Sequence, residues 1–174
     1  MRDLIRTRGW GWVCALLLAL GPVSAGMARS AGAAAGSLQW SVMTDAFGTT
    51  VDYPAGIFTA EKGAPPRGTG RVLESADGEA RLMVYVEEND ARQSPASFVR
   101  SNLTTPIAQI DYRRITDRFF AVSGENEGRS FYSRCNFPDA RNGPLHCIFL
   151  SYKSSEKEAW DDIVTRISLS LRPR

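Results

Sequence analysis

Two runs of aromatic and alternating residues, Arg129 to Phe137 and Leu145 to Tyr152, flank a centre of Pro138-Asp139-Ala140-Arg141-Asn142-Gly143-Pro144. That is the composition of a β-hairpin with a longer loop. Placing Cys135 opposite Cys147 sets the register of the whole ribbon, because a one-residue slip would turn every side chain to the other face. Phe137 then faces Leu145 and Ser133 faces Phe149, on a side that is almost wholly apolar. Tyr132, Arg134 and Asn136 oppose Leu150, Ile148 and His146 on a mixed side, which is expected to be half-covered at most.

The 174-residue chain holds three cysteines. Cys14 lies in a stretch that reads as a secretory signal peptide over residues 1–25. Arg2, Arg6 and Arg8 form a basic region, Trp10 to Leu20 an apolar core, and Val23-Ser24-Ala25 a small-x-small cleavage site. A retained anchor is the alternative, but Pro22 interrupts the stretch and a span wants about 20 strongly apolar residues. No stable membrane span is expected after cleavage. Cys14 lacks a lipobox and leaves with the leader, so Cys135 and Cys147 remain in an oxidising compartment. An even count there reads as a structural disulfide, and closing a loop of about a dozen residues stabilises a fold by roughly 3 kcal/mol in the chain-entropy model. Metal binding by these two and His146 lacks a fourth ligand and any Cys-x-x-Cys spacing. A redox role needs a cation beside the thiols, and Arg134 points to the opposite face. No cofactor and no metal is expected.

Loss of residues 1–25 removes three Arg and one Asp, taking basic groups from 21 to 18 and acidic ones from 19 to 18. The exported chain is then neutral. Its charge argues for neither nucleic acid nor an anionic membrane surface.

Residues 26–37 are Ala, Gly and Ser with one Arg and one Met, a flexible linker. Residues 38–174 are enough for one domain with one core. Leu38, Trp40 and Val42, then Thr49, Val51 and Tyr53, alternate as two strands, and Pro54 ends the second. Residues 61–70 read as a loop. Arg71 to Glu74 and Ala80 to Val86 form a hairpin through Ala76-Asp77-Gly78. Apolar groups on both sides of the second of these strands, Leu82, Val84 and Val86 against Met83 and Tyr85, predict a central strand covered on both faces. Ser94-Pro95 opens a helix bearing Phe98, Val99 and Leu103, and Pro106 stops it. Ile107 to Thr116 and Phe119 to Ser123 read as strands, with Gly124 to Gly128 a loop. Ser155 to Glu158 reads as a capping box before a helix whose apolar face is Trp160, Ile163, Val164, Ile167 and Leu171. About eight strands joined by short antiparallel connections, with two helices, predict an α+β fold of the α/β/α sandwich type.

Gly48-Thr49-Thr50-Val51-Asp52-Tyr53-Pro54-Ala55-Gly56, with its Tyr-Pro-x-Gly end, resembles the early strand of the PsbP-like superfamily. The Asp77-Gly78 hairpin, the capped helix at Ser94 and the closing helix with Trp160 and Ser170-Leu171 are similar as well. That fold occurs in an extrinsic photosystem II subunit and in many small exported bacterial proteins. The resemblance implies an antiparallel sheet with helices packed against it, and a binding or accessory role in place of catalysis. It carries no functional residues over. The hairpin cysteines are not general in the superfamily and point to a narrower bacterial subgroup.

Among candidates for chemistry, His146 is the sole histidine. It reads as a strand residue across from Asn136, and no Gly-x-Ser-x-Gly elbow accompanies it. Arg113, Arg114 and Arg118 lie close together, but alternation sends Arg113 and Arg114 to opposite faces, with Asp111 and Asp117 as surface partners. Residues 87–90 lack an EF-hand spacing, and no glycine loop suited to phosphate is present. The expectation is an exported, periplasmic or secreted accessory protein that is not an enzyme and meets a protein or cell-envelope partner. Its contact groups are Tyr112, Tyr132 and Tyr152, with Arg113 and Arg114. The alternatives are a hydrolase centred on His146 and the 113–118 segment, and a small-ligand carrier. The carrier requires an apolar cavity between sheet and helix.

Overall fold

The computed structural model describes residues 38–103, 106, 109–139 and 142–173. The expected leader (1–25) and linker (26–37) lie outside the described residues. The elements run β1 (Trp40–Thr44), β2 (Thr50–Pro54), β3 (Phe58–Glu61), β4 (Thr69–Ser75), β5 (Arg81–Glu87), α1 (Pro95–Asn102), β6 (Ile110–Ile115), β7 (Phe119–Asn126), β8 (Arg129–Asn136), β9 (Leu145–Lys153) and α2 (Lys157–Ser170). Seven strands make one antiparallel sheet in the order β3-β4-β5-β9-β8-β7-β6, and β1 and β2 pair as a separate ribbon. The class is α+β.

Side chains alternate along each strand, so register assigns them to two layers. Leu82, Val84, Ile148, Leu150 and Tyr152 meet α2 and the β1–β2 ribbon through Trp160, Ile163, Ile167, Val51 and Met43. Phe120, Val122, Cys135, Phe137, Leu145 and Cys147 meet α1 through Phe98 and Val99 on the opposite face. Helices therefore lie on both sides of the sheet. The end of α2 is tied to β2: Thr50 and Arg172 exchange backbone hydrogen bonds of 2.8 and 2.9 Å, and the Asp52 amide donates to Ser170 Oγ at 2.8 Å.

The cysteine pair organises the centre as expected. Cys135 and Cys147 are bonded, S–S 1.99 Å, and the β8–β9 register places Phe137 outside the strand end, Ser133 opposite Phe149, and Asn136 opposite His146. Ser94 caps α1, its Oγ accepting from the Ser97 amide at 3.2 Å, with Pro95 at the first helical position.

Four expectations are corrected, and one strand is additional. Phe58–Glu61, which carries no alternating run long enough to read, forms β3 and pairs with β4 across an irregularity. Gly124 to Gly128 is not a loop, because β7 continues to Asn126 and the chain reverses in two residues. Glu127 and Gly128 take φ of 52° and 74°, the pair of left-handed residues that suits the right-handed twist of a two-residue hairpin. The capping box does not form: Ser154–Glu156 make a 3₁₀ turn, and α2 begins without a side-chain cap. The Glu156 carboxylate instead accepts from Trp160 Nε1 at 3.2 Å. The mixed side of the cysteine hairpin is covered further than expected along β9, with His146, Ile148 and Leu150 at 5%, 0% and 1% exposed because α2 and the ribbon lie over it, while Tyr132, Arg134 and Asn136 on β8 stay half-buried. Conversely, β5 is covered on one side only. Leu82, Val84 and Val86 are buried, but Met83 and Tyr85 are half-buried.

Candidate functional site

The connection after β5 explains why that second side stays open. The chain leaves the middle of the sheet and re-enters at its far edge as β6, then returns strand by strand to β9. This crossing lays α1 over the face. An eight-residue helix is roughly 12 Å long, whereas seven strands about 4.8 Å apart span roughly 29 Å. Helix α1 settles at one end, where Phe98 packs on Phe120 and Phe137 with ring centroids 5.8 and 5.9 Å apart. The remainder of the face is a groove.

Its volume is about 590 Å³. Met83, Tyr85, Phe131, Ser133, Phe149 and Ser151 form the floor, with Phe98, Val99 and Leu103 of α1 on one wall and Pro65, Pro66 and Arg67 of the preceding loop on another. Floor aromatics stand opposite small residues on neighbouring strands: Phe131 faces Ser151, Phe149 faces Ser133, and Tyr85 faces Gly70. The rings of Phe131 and Phe149 lie 6° from parallel with centroids 6.3 Å apart. At one end Arg67 Nη2 donates to Glu87 Oε1 at 2.5 Å and to Asn102 Oδ1 at 2.7 Å, joining the loop to α1. At the other end Arg129 Nη2 donates to the Glu79 carbonyl at 2.7 Å, with its Nη1 3.4 Å from the Glu79 carboxylate.

Burial pushes the Tyr85 hydroxyl up to about 12, with the nearby Glu87 charge adding to it. Tyr85 is thus a neutral hydrogen-bond donor at every physiological pH. Beneath α1 the disulfide closes the floor, both cysteines being 0% exposed. Neither sulfur offers thiol chemistry.

The chain matches no protein-family model and no curated protein. Among solved structures it is similar to the solution structure of cyanobacterial PsbP (CyanoP) from Synechocystis sp. PCC 6803, with a TM-score of 0.58 over 80% of this chain and 95% of that one. The fold is PsbP-like. The two sequences are 16% identical, so the likeness is one of fold alone.

Within the PsbP-like frame the residues singled out from sequence are dispersed. Tyr112 is 46% exposed on edge strand β6, where Arg113 and Arg114 are exposed beside it. Tyr132 is half-buried against α2, its hydroxyl 2.6 Å from Ser168 Oγ. Tyr152 is 5% exposed and stacks on Trp160 at a centroid distance of 4.9 Å. Burial raises its hydroxyl to about 12, with Asp161 adding. Tyr132 and Tyr152 line a smaller polar recess of about 310 Å³ with Asp111 and Lys157, which are themselves paired at 2.8 Å.

His146 lines neither cavity. Its Nδ1 lies 2.8 Å from Thr49 Oγ1, and burial holds the imidazole below its ordinary range while Asp45 opposes that effect. Arg113 and Arg114 are not near it, being on edge strand β6, with β7 and β8 between that strand and β9. The groove residues were missed, although their signal was present: once Cys135 meets Cys147, Phe131, Phe149 and Tyr85 fall on one face with serines between them. What hid the site was the length and seat of α1.

Proposed function

We propose that this chain is an exported, periplasmic or secreted binding protein with an accessory role, and that its binding site is the groove between α1 and the sheet. The observation that carries this reading is a cavity of about 590 Å³, within the range of small-molecule sites and lined mainly by aromatic and aliphatic groups with a few hydroxyls. Export is supported by the basic, apolar and small-x-small pattern of residues 1–25. It is supported again by the buried Cys135–Cys147 bond, a crosslink that persists outside reducing compartments. A non-catalytic role is supported by the engagement of His146 with Thr49, away from either cavity.

Native mass spectrometry of protein recovered from the periplasm tests both parts. The expected result is a chain beginning near residue 26, unreactive to thiol alkylation, carrying a small molecule that dissociates on collisional activation. A full-length cytoplasmic chain, or a periplasmic one that remains empty after exposure to envelope extract, would overturn the reading.

A second reading places a macromolecular partner on β6. Tyr112 is one of few large apolar side chains standing exposed among the described residues, and Arg113 and Arg114 follow it on an edge strand, where an incoming chain can pair. Tyr132 and Tyr152 would support that contact from behind. Replacing Tyr112, Arg113 and Arg114 by alanine removes a partner captured from envelope extract if this reading is correct, and leaves capture unchanged if it is not.

A further inference from the structure

Resting on the reading of the groove as a binding site, we infer that its ligand is an uncharged, largely apolar molecule carrying a carbonyl or hydroxyl oxygen, and that anionic amphiphiles are excluded. The shape and the charges at the mouth both lead there.

The lining supplies apolar contact, through Phe98 on the wall and Phe131, Phe149 and Met83 on the floor. The floor also presents three hydroxyls, on Tyr85, Ser133 and Ser151, none of which is hydrogen-bonded to another described residue. All three residues are half-buried, so a ligand filling the groove displaces the water that reaches their hydroxyls, and a group that leaves them unpaired is penalised. A ligand oxygen that accepts from one of them replaces the lost water bond, which gives orientation within an otherwise greasy cleft.

Charge at the mouth decides what the rest of the ligand can be. A fatty acid or a phospholipid needs an available cation, and both arginines of the groove are engaged. Arg67 is held by Glu87 and Asn102 at 2.5 and 2.7 Å, and Arg129 by the carbonyl and carboxylate of Glu79 at 2.7 and 3.4 Å. Glu79 is also 3.5 Å from Lys153. The remaining charge lining the groove is Glu127, an exposed carboxylate with no cation partner among the described residues. An anionic headgroup would therefore lie near Glu127 and find only cations already paired with Glu87 or Glu79 to replace its lost hydration, whereas a neutral oxygen meets hydroxyl donors.

Two fluorescent probes that share a ring system and differ by one sulfonate test this directly: uncharged N-phenyl-1-naphthylamine and anionic 8-anilino-1-naphthalenesulfonate. The folded, oxidised protein is expected to bind the neutral probe at least about tenfold more tightly, the scale of one unfavourable charge contact. Glu127→Gln should narrow that ratio. Menadione, a neutral carbonyl compound, should displace the neutral probe, and decanoate should not. In the Ser133→Ala/Ser151→Ala variant menadione should weaken by about fivefold, as for one lost hydrogen bond, with the neutral probe little changed. Ser151→Trp, and separately Ser133→Trp, should abolish probe binding, with thermal melts showing that each variant folds. Equal or tighter binding of the sulfonate would overturn the ligand class while leaving the groove as a site. If neither probe binds, or if both tryptophan variants bind as well as the parent, the reading of the groove itself fails.

Discussion

The two faces of the central sheet are built from the same seven strands and yet end in opposite states. On one face α2, 14 residues long, and the β1–β2 ribbon together cover Leu82, Val84, Ile148 and Leu150 to 1% exposure or less. On the other, eight residues of α1 seal the disulfide end and leave Met83, Tyr85, Phe149 and Ser151 half-covered. The strands themselves do not set this difference, since both faces carry large apolar groups. Cover is a property of what the connections lay across the sheet. The face with the fuller cover forms the larger core, and the face with less cover keeps the groove proposed as the binding site.

The contrast breaks most sharply under truncation. Ile167, 0% exposed beneath the sheet, should lose about 3–4 kcal/mol on Ile167→Ala, the cost of a core deletion that cannot collapse. Phe149→Ala on the groove floor should cost less than half of that in the same urea titration, because solvent already reaches the ring. Equal losses would mean that the groove is as closely packed as the core. Removing the crosslink, by Cys135→Ala/Cys147→Ala or by reduction, should cost about 3 kcal/mol, read as a lower midpoint in thermal or urea unfolding. An unchanged midpoint would remove the disulfide from the account of stability.

Two hydroxyl deletions sharpen the contrast further. Tyr132→Phe loses the 2.6 Å bond to Ser168 and should cost about 1 kcal/mol. Tyr85→Phe removes a hydroxyl with no described partner and should fall within about 0.5 kcal/mol of the parent. The smallest effect is in pH. Burial places the folded-state pKa of His146 below its ordinary 6.5, so as pH falls the unfolded chain binds a proton first. Stability is then full above about 6.5 and declines as pH drops toward the folded-state value. Urea midpoints between pH 7.5 and 5 should show that slope, and His146→Asn should flatten it.

Where one covalent or steric rule dominates, the sequence could be read residue by residue. The Cys135–Cys147 pair made the β8–β9 register legible, and Ser94-Pro95 located the start of α1. The Tyr-Pro-x-Gly strand, the hairpins and the last helix together were enough to recognise a PsbP-like frame. Signals that compete were misread. Phe58–Glu61 is too short to show a period. Glu127-Gly128 lay in a polar run that resembled a longer loop, although two left-handed residues are all the turn requires. The serine of the expected capping box was taken up in a 3₁₀ turn. The groove was invisible because it depends on how far a short helix reaches across strands brought together from distant parts of the chain. Gly124 makes the same point in miniature: a Cβ there would sit 1.9 Å from the Gln109 carbonyl oxygen, a contact that no pattern within β7 announces.

Methyl NMR offers the most direct test, because the two faces carry separate reporters. On adding N-phenyl-1-naphthylamine, the methyl signals of Met83, Val99 and Leu103 at the groove should shift, while those of Ile148, Ile163 and Ile167 under α2 stay in place. Shifts confined to the α2 face, or uniform across both faces, would contradict the account.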